Sequence, residues 1–296
     1  MLVGMDGNFN LRKWKSRNGL LCQRTCKIES KDESVVLNNY LYHILVPLFK
    51  RIEDNTPSGS VKHLSARTIN NILIPLPPLT IQREIVSVLD SFTTLIDKMK
   101  QEVELRKKQM EYMIKRLCSN GVERVRLDSL LDYEQPTRYI VNSTEYDSKY
   151  SIPVLTAGQS FILGYTNEEE GIYKASPQNP TIIFDDFTTG FHWVDFDFKV
   201  KSSAMKMLKL IESKKENNFR YIYMAMKTID YIPTNHTRHW ISIYSKFEIP
   251  LPPPSTQRSI VSTLDTFEQY ISKLERLITL REKQYAYYRE KLLTFE

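Results

Sequence analysis

The sequence predicts an α+β fold: two tandem α/β lobes, the first of them truncated, each followed by a long helix, with the two helices pairing as an antiparallel coiled coil. Three observations carry this expectation. The phrase Ile74-Pro75-Leu76-Pro77-Pro78 recurs as Ile249-Pro250-Leu251-Pro252-Pro253, each followed by a Gln-Arg pair, with 175 residues between Gln82 and Gln257; an echo this ordered marks one unit repeated in tandem. After each phrase, apolar residues recur in alternating steps of four and three, which is a heptad seam. In the stretch before the second phrase, short β-type runs mix with a helical one.

The first lobe is placed at residues 1–79. Its Ile28-Glu29-Ser30-Lys31 and Tyr40-Leu41-Tyr42 answer Ile211-Glu212-Ser213-Lys214 and Tyr221-Ile222-Tyr223 in the second copy. About sixty residues of the second copy, Gly121 to Thr181, stand before the part that has a counterpart. The first lobe is therefore expected to lack the front of its fold and to leave strand edges open that the second covers.

Residues 80–121 are the first helical segment, with helix expected over 80–118. Prolines 75, 77 and 78 exclude a helix ahead of it, because each removes a donor and biases its predecessor to extended backbone. Thr80 is the expected N-cap and Gly121, after Asn120, the expected stop. The seam reads Ile85, Leu89, Phe92, Ile96, Met99, Val103, Arg106, Met110, Met113, Leu117. The second lobe, 122–254, is expected to hold strands at Ile152–Leu155, Thr181–Phe184, Phe196–Val200 and Met205–Leu210 and a helix near Asn217–Thr228, in a curved sheet. Residues 255–296 form the second helical segment, capped by Ser255, with helix over 255–293 and the seam Ile260, Leu264, Phe267, Ile271, Leu274, Ile278, Arg281, Tyr285, Tyr288, Leu292. At ~1.5 Å per residue each helix is a rod of roughly 50 Å. Two such rods with matching stripes pair with each other, and an antiparallel pairing makes them a spacer between lobes.

Arginine interrupts both seams at the same place. Arg106 and Arg281 either snorkel out along their methylenes or mark where another protein docks.

Composition is that of a soluble globular protein: 296 residues, 41% hydrophobic and 26% charged. No stretch approaches the ~18 apolar residues of a spanning helix, and no secretory h-region opens the chain, so a cytoplasmic protein is expected. Three cysteines, Cys22, Cys26 and Cys118, form no disulfide framework or complete zinc set. A net charge of +6 with a pI near 9.0 points toward a polyanionic partner without demanding one.

Catalytic signatures are thin. Asn179-Pro180-Thr181-Ile182 lacks the second proline and the aromatic ring of an adenine methyltransferase motif. Glu29-Ser30-Lys31 and Glu212-Ser213-Lys214 have the form of a nuclease half-site but lack its Pro-Asp, and no Gly-rich phosphate loop is present. Several loops instead mix basic, aromatic and small polar residues, which can bond phosphates and base edges: Thr188 to Trp193 with Thr188 and His192, Lys201-Ser202-Ser203, and Asn235 to Trp240 with Arg238 and His239. Arg238-His239 has a counterpart in Lys62-His63, just ahead of the first proline phrase. A binding protein is expected, not an enzyme.

The repeated Ile-Pro-Leu-Pro-Pro phrase with its Gln-Arg, leading each time into a long amphipathic helix, resembles the specificity subunit of type I restriction-modification systems. The resemblance covers nearly the whole chain. It implies that each lobe is a target-recognition domain reading one part of a bipartite DNA sequence, the complete one here being 122–248. It implies too that the helices are a spacer on which methyltransferase (M) subunits dock, with a restriction (R) subunit completing the assembly. S-adenosylmethionine, ATP and Mg are then expected on those partners and no cofactor on this chain. The front-end truncation leaves open whether the chain acts alone, as a homodimer through its helices, or with a complementing polypeptide. The alternative is a coiled-coil scaffold or decoy that binds methyltransferase subunits without complete DNA recognition.

Overall fold

The structure is a computed structural model that describes residues 1–14, 18–57, 61–119, 123–158, 160–234 and 237–295. Along the chain run β1 (Leu2–Gly4), β2 (Leu11–Arg12), β3 (Thr25–Lys27), α1 (Asn38–Asn55), α2 (Ala66–Asn70), α3 (Leu79–Leu117), β4 (Arg124–Arg126), β5 (Leu131–Glu134), β6 (Ile152–Leu155) and β7 (Ile162–Thr166). There follow β8 (Thr181–Asp185), β9 (Phe191–Val194), β10 (Lys199–Val200), β11 (Met205–Leu210), α4 (Phe219–Met226), β12 (Glu248–Pro250) and α5 (Pro254–Leu293). By packing, the chain divides into one unit of Met1–Leu105 with Ser272–Glu296 and a second of Arg106–Ile271, so each long helix contributes to both. Among the described residues no helix is long and apolar enough to cross a membrane.

The first unit holds an antiparallel sheet in the order β2-β1-β3, with Val3 opposite both Leu11 and Cys26. Val3, Phe9, Tyr40, Ile44, Phe49, Leu64, Ile85 and Leu89 form its core, so the start of α3 is packed against the lobe rather than free of it. Within this unit α3 and α5 run antiparallel. Phe92 stacks on Tyr288 at 5.4 Å and Lys100 Nζ lies 2.7 Å from Glu282 Oε1, so rising numbers on one helix meet falling numbers on the other.

The second unit holds a four-stranded antiparallel sheet, β5-β11-β8-β9, a three-stranded sheet, β10-β6-β7, in which β10 is parallel to β6, and the pair β12-β4. Leu155, Ile183, Val194, Phe198, Val200, Met205 and Met207 make its core. The stretches of α3 and α5 in this unit again pair through their seams: Met110, Ile260, Leu264 and Ile271 are buried, and the Arg106 guanidinium lies 5.8 Å from the Tyr270 ring. Ile114 and Cys118, outside the expected seam, are buried as well.

The repeat is a repeat of contacts. Gln82 and Gln257 are both fully buried. Gln82 donates to the Pro77 and Val35 carbonyls and accepts from the Leu37 N–H; Gln257 donates to the Pro252 carbonyl and to Asn217 Oδ1 and accepts from the Asn218 N–H. Beside them the Tyr40 hydroxyl donates to the Pro75 carbonyl and the Tyr221 hydroxyl to the Pro250 carbonyl. The proline phrase is thus the joint that fixes each long helix to its own lobe. In each phrase the carbonyl of the first proline is satisfied by a phenol and that of the second by a buried amide.

Three expectations are corrected. Thr80 and Ser255 are not N-caps: the Gln82 and Gln257 N–H groups bond the Pro78 and Pro253 carbonyls, which makes those prolines the caps. Each proline holds the N-cap position through that bond and brings no side-chain acceptor for the first free N–H groups. Phe196–Val200 is a strand only at Lys199–Val200, Phe198 making an isolated bridge with Tyr173. Tyr288, counted in the seam, remains exposed although it covers Phe92. Asn120 and Gly121 lie outside the described residues; α3 ends at Leu117, with the Cys118 N–H bonded to the Ile114 carbonyl.

Candidate nucleic-acid interface

Asp186 immediately follows β8 and brings three loops together. Its N–H donates to the Ala204 carbonyl at 2.9 Å, its carbonyl accepts from the His239 N–H at 2.9 Å, and its Oδ1 accepts from the Trp240 N–H at 2.8 Å. The loops after β8, after β10 and before Trp240 therefore share one point of attachment. Trp240 anchors the third loop below, packed against Phe184 at 5.0 Å. In the first loop the Asp185 carboxylate accepts from the Phe187 and Thr188 N–H groups. Thr189 there takes a positive φ of 58°, and a side chain on Gly190 would meet the Ala157 carbonyl at 2.3 Å. Glycine at 190 thus lets the loop between β6 and β7 approach this turn.

Of the residues selected from sequence in this unit, Thr188, Ser202 and Arg238 are exposed and Lys201 and His192 half-buried on these loops and on β9. Thr188 Oγ1 accepts from the Gly190 N–H, and Ser202 Oγ from the Ala204 N–H. Lys201 Nζ sits over the Tyr146 ring at 5.8 Å. The His192 ring lies 4.7 Å from Phe161; burial lowers its pKa from the usual histidine value, against a raising hydrogen bond to the Gly158 backbone, so neutral imidazole is favoured. His239 is a correction: it is 1% exposed, with Nδ1 3.0 Å from the Tyr231 hydroxyl. Its ring supports the loop from within, and Arg238 alone of that pair faces out. Asn235 and His236 of the same loop lie outside the described residues.

The first unit repeats the arrangement in simpler form. Leu64 is fully buried where the second unit has Trp240, and the Leu64 N–H donates to the Met5 carbonyl. His63 is exposed, with Nδ1 2.6 Å from Asp6 Oδ1. Lys62 is bent back, its Nζ donating to the Glu53 carbonyl at 2.5 Å. On the helices, Arg106 Nη1 donates to Gln109 Oε1 and Arg281 Nη1 to Gln284 Oε1, each half-buried arginine held in one pose beside an exposed leucine, Leu105 or Leu280.

Sequence reasoning missed Asp186, Lys206 and Tyr146. In the sequence Asp186 is one of several acidic residues well upstream of Glu212-Ser213-Lys214, with nothing local to single it out. Asp185 in fact closes a turn, and Glu212 is exposed and paired with Lys215 at 2.6 Å.

The family described as "Type I restriction modification DNA specificity domain" matches this chain over residues 3–105 and 119–282, once in each repeat. The chain is 46% identical over 197 residues to the Escherichia coli type I restriction enzyme EcoR124I/EcoR124II specificity subunit, across 64% of this chain and 48% of that protein. It is 42% identical over 104 residues to the EcoBI specificity subunit of the same organism, across 35% of this chain and 22% of that protein. It thus spans about half the length of the first of these relatives and less of the second. Its fold is similar to the crystal structure of the type I restriction-modification system S subunit from M. genitalium, with a TM-score of 0.63 at 13% identity, covering 100% of this chain and 83% of that one. Family matches on both repeats, covering well over half of the sequence, establish that the chain belongs to the type I restriction-modification DNA specificity family.

Proposed function

We propose that this chain is a DNA-specificity subunit: it binds double-stranded DNA through the loops of its lobes and presents its long helices to methyltransferase and restriction subunits, which it directs to a target sequence. The observation that carries the reading is the specificity-domain match in both repeats. Thr188, Ser202 and Arg238, exposed on loops with a common attachment, are the base- and phosphate-contacting candidates, with Lys201 and His192 at their edge and Lys62 and His63 in the other unit. Arg106 and Arg281, posed alike by Gln109 and Gln284, are the partner-docking candidates. The chemistry belongs to the partners, which carry S-adenosylmethionine, ATP and Mg, and the assembly works in the cytoplasm. A second copy of the chain is a further candidate partner through the helices, and light scattering on the purified chain decides it.

The test is co-expression with type I methyltransferase subunits, followed by purification of the complex and mapping of methylated bases on host DNA. One sequence motif modified only when this chain is present is the expected result. A stable complex that methylates no defined motif would favour the scaffold reading.

A further inference from the structure

Asp186 is 1% exposed, and its hydrogen bonds to the neighbouring loops are to backbone groups. Its bonds go to the backbones of 204, 239 and 240, that is, to the loops carrying Ser202 and Arg238, while Thr188 follows it by two residues. Its second oxygen, Oδ2, makes no hydrogen bond and lies 3.2 Å from Lys206 Nζ, itself buried, held by Gln135 Oε1 at 3.2 Å and set over the Tyr133 ring at 5.0 Å. The Asp186 backbone thus holds the loops at 204 and 239, and its buried carboxylate holds the Trp240 N–H, so the side chain fixes the Arg238 loop against a backbone already tied to the Ser202 loop. The first unit carries the same device in other chemistry. Asp6, just past β1, bridges to His63 through the backbone and holds its ring through Oδ1, while the Gly7 N–H donates to the Lys62 carbonyl at 2.9 Å. In both units an aspartate just past a strand in the sheet interior holds the basic-His loop that precedes the proline phrase.

Resting on the DNA-recognition reading above, we propose that Asp186 is a positioning residue for target discrimination: through the Trp240 N–H its carboxylate sets the register of the Arg238 loop against the Thr188 and Ser202 loops, so that the position of its oxygen matters rather than its charge.

Two variants of the full chain, assembled with methyltransferase subunits, separate position from charge. Asp186→Glu keeps the carboxylate and the Lys206 ion pair but moves the oxygens by about one bond, ~1.5 Å. Asp186→Asn with Lys206→Met keeps an acceptor for the Trp240 N–H in place, removes the charge and leaves no ammonium buried alone. Binding is measured on the mapped target, on a one-base mismatch and on random-sequence DNA, beside urea unfolding. Asp186→Glu should lower the target-to-mismatch ratio about tenfold, the size of one lost base preference, while affinity for random DNA changes less than about threefold. The double variant should keep the wild-type ratio. Equal loss of ratio in both variants, no loss in either, or loss of all three affinities in step with stability would each overturn the proposal. A wild-type complex that shows no preference for any sequence sinks the recognition reading itself and is told apart by that control.

Discussion

Gln82 and Gln257 show how much one amide does when a proline-rich joint leaves carbonyls without partners. Replacing either by leucine strands a buried N–H and one or two carbonyls, each costing roughly 1–3 kcal/mol. Gln82→Leu and Gln257→Leu should each lower stability by about 2–4 kcal/mol, read from urea midpoints. A loss below ~0.5 kcal/mol would mean water takes over these bonds. His43 is fully buried, with Nε2 2.8 Å from Asp90 Oδ1 and Nδ1 3.1 Å from the Tyr285 hydroxyl. Burial lowers its pKa below the ordinary 6.5, and the Asp90 hydrogen bond only partly opposes this. The unfolded chain therefore takes up a proton that the native chain resists. Stability from this group is complete above pH ~6.5 and declines as pH falls through the native pKa. His192, shifted the same way by burial, adds to the effect. The urea midpoint should fall as pH drops below 6.5; His43→Gln should flatten that slope, and His43→Gln/His192→Gln flatten it further. Such residues were only half legible in the sequence. The repeated glutamine stood out as a marker, but its partners Leu37 and Asn218 lie far away along the chain. His239 read as a surface contact because residue type says nothing about which way a ring points.

At the level of elements the long helices were the most legible feature, expected at 80–118 and 255–293 and found at Leu79–Leu117 and Pro254–Leu293. Heptad periodicity over five repeats averages out local noise, and prolines set the start sharply. Short strands were less legible. β6 and β11 fall where short β-type runs placed them, whereas Phe198 makes an isolated bridge to Tyr173 and enters the core while Phe196 stays exposed, a tertiary preference that no local pattern encodes. The seam gives the test at this scale. Ile96 and Ile271 are both buried, each in its own unit. Aspartate at either position places an unpaired charge in an apolar seam, at a cost of about 3–5 kcal/mol. Ile96→Asp and Ile271→Asp should each lower the thermal midpoint by several degrees, while the same substitution at exposed Leu95 should shift it little. Wild-type midpoints for both seam variants would contradict the helix pairing.

For the whole molecule, the net charge of +6 matters through where the cations stand. Many are spent within the protein: Lys206 on Asp186, Lys199 on Glu168 at 2.9 Å, Arg220 on Asp265 at 3.1 Å, and Lys62 on a backbone carbonyl. Arg238 is exposed and Lys201 half-buried, on loops that meet at one aspartate, so on the proposed DNA-recognition reading these two are candidates to displace counterions from DNA. If they contact phosphates, each contributes about one unit to the slope of log affinity against log salt, and its loss weakens binding to all sequences alike. The complex with methyltransferase subunits should therefore lose affinity steeply between low and physiological salt. Lys201→Ala and Arg238→Ala should each reduce the slope by about one and weaken target and random DNA in the same proportion. Thr188→Ala and Ser202→Ala, which remove no charge, should leave the slope alone and relax preference at single positions of the motif. His239→Gln should act on stability, because its ring is inside. A double variant Lys201→Ala/Arg238→Ala that keeps both the wild-type slope and the wild-type motif would place the interface elsewhere on the molecule, and the exposed cations of the first unit would be the next to test.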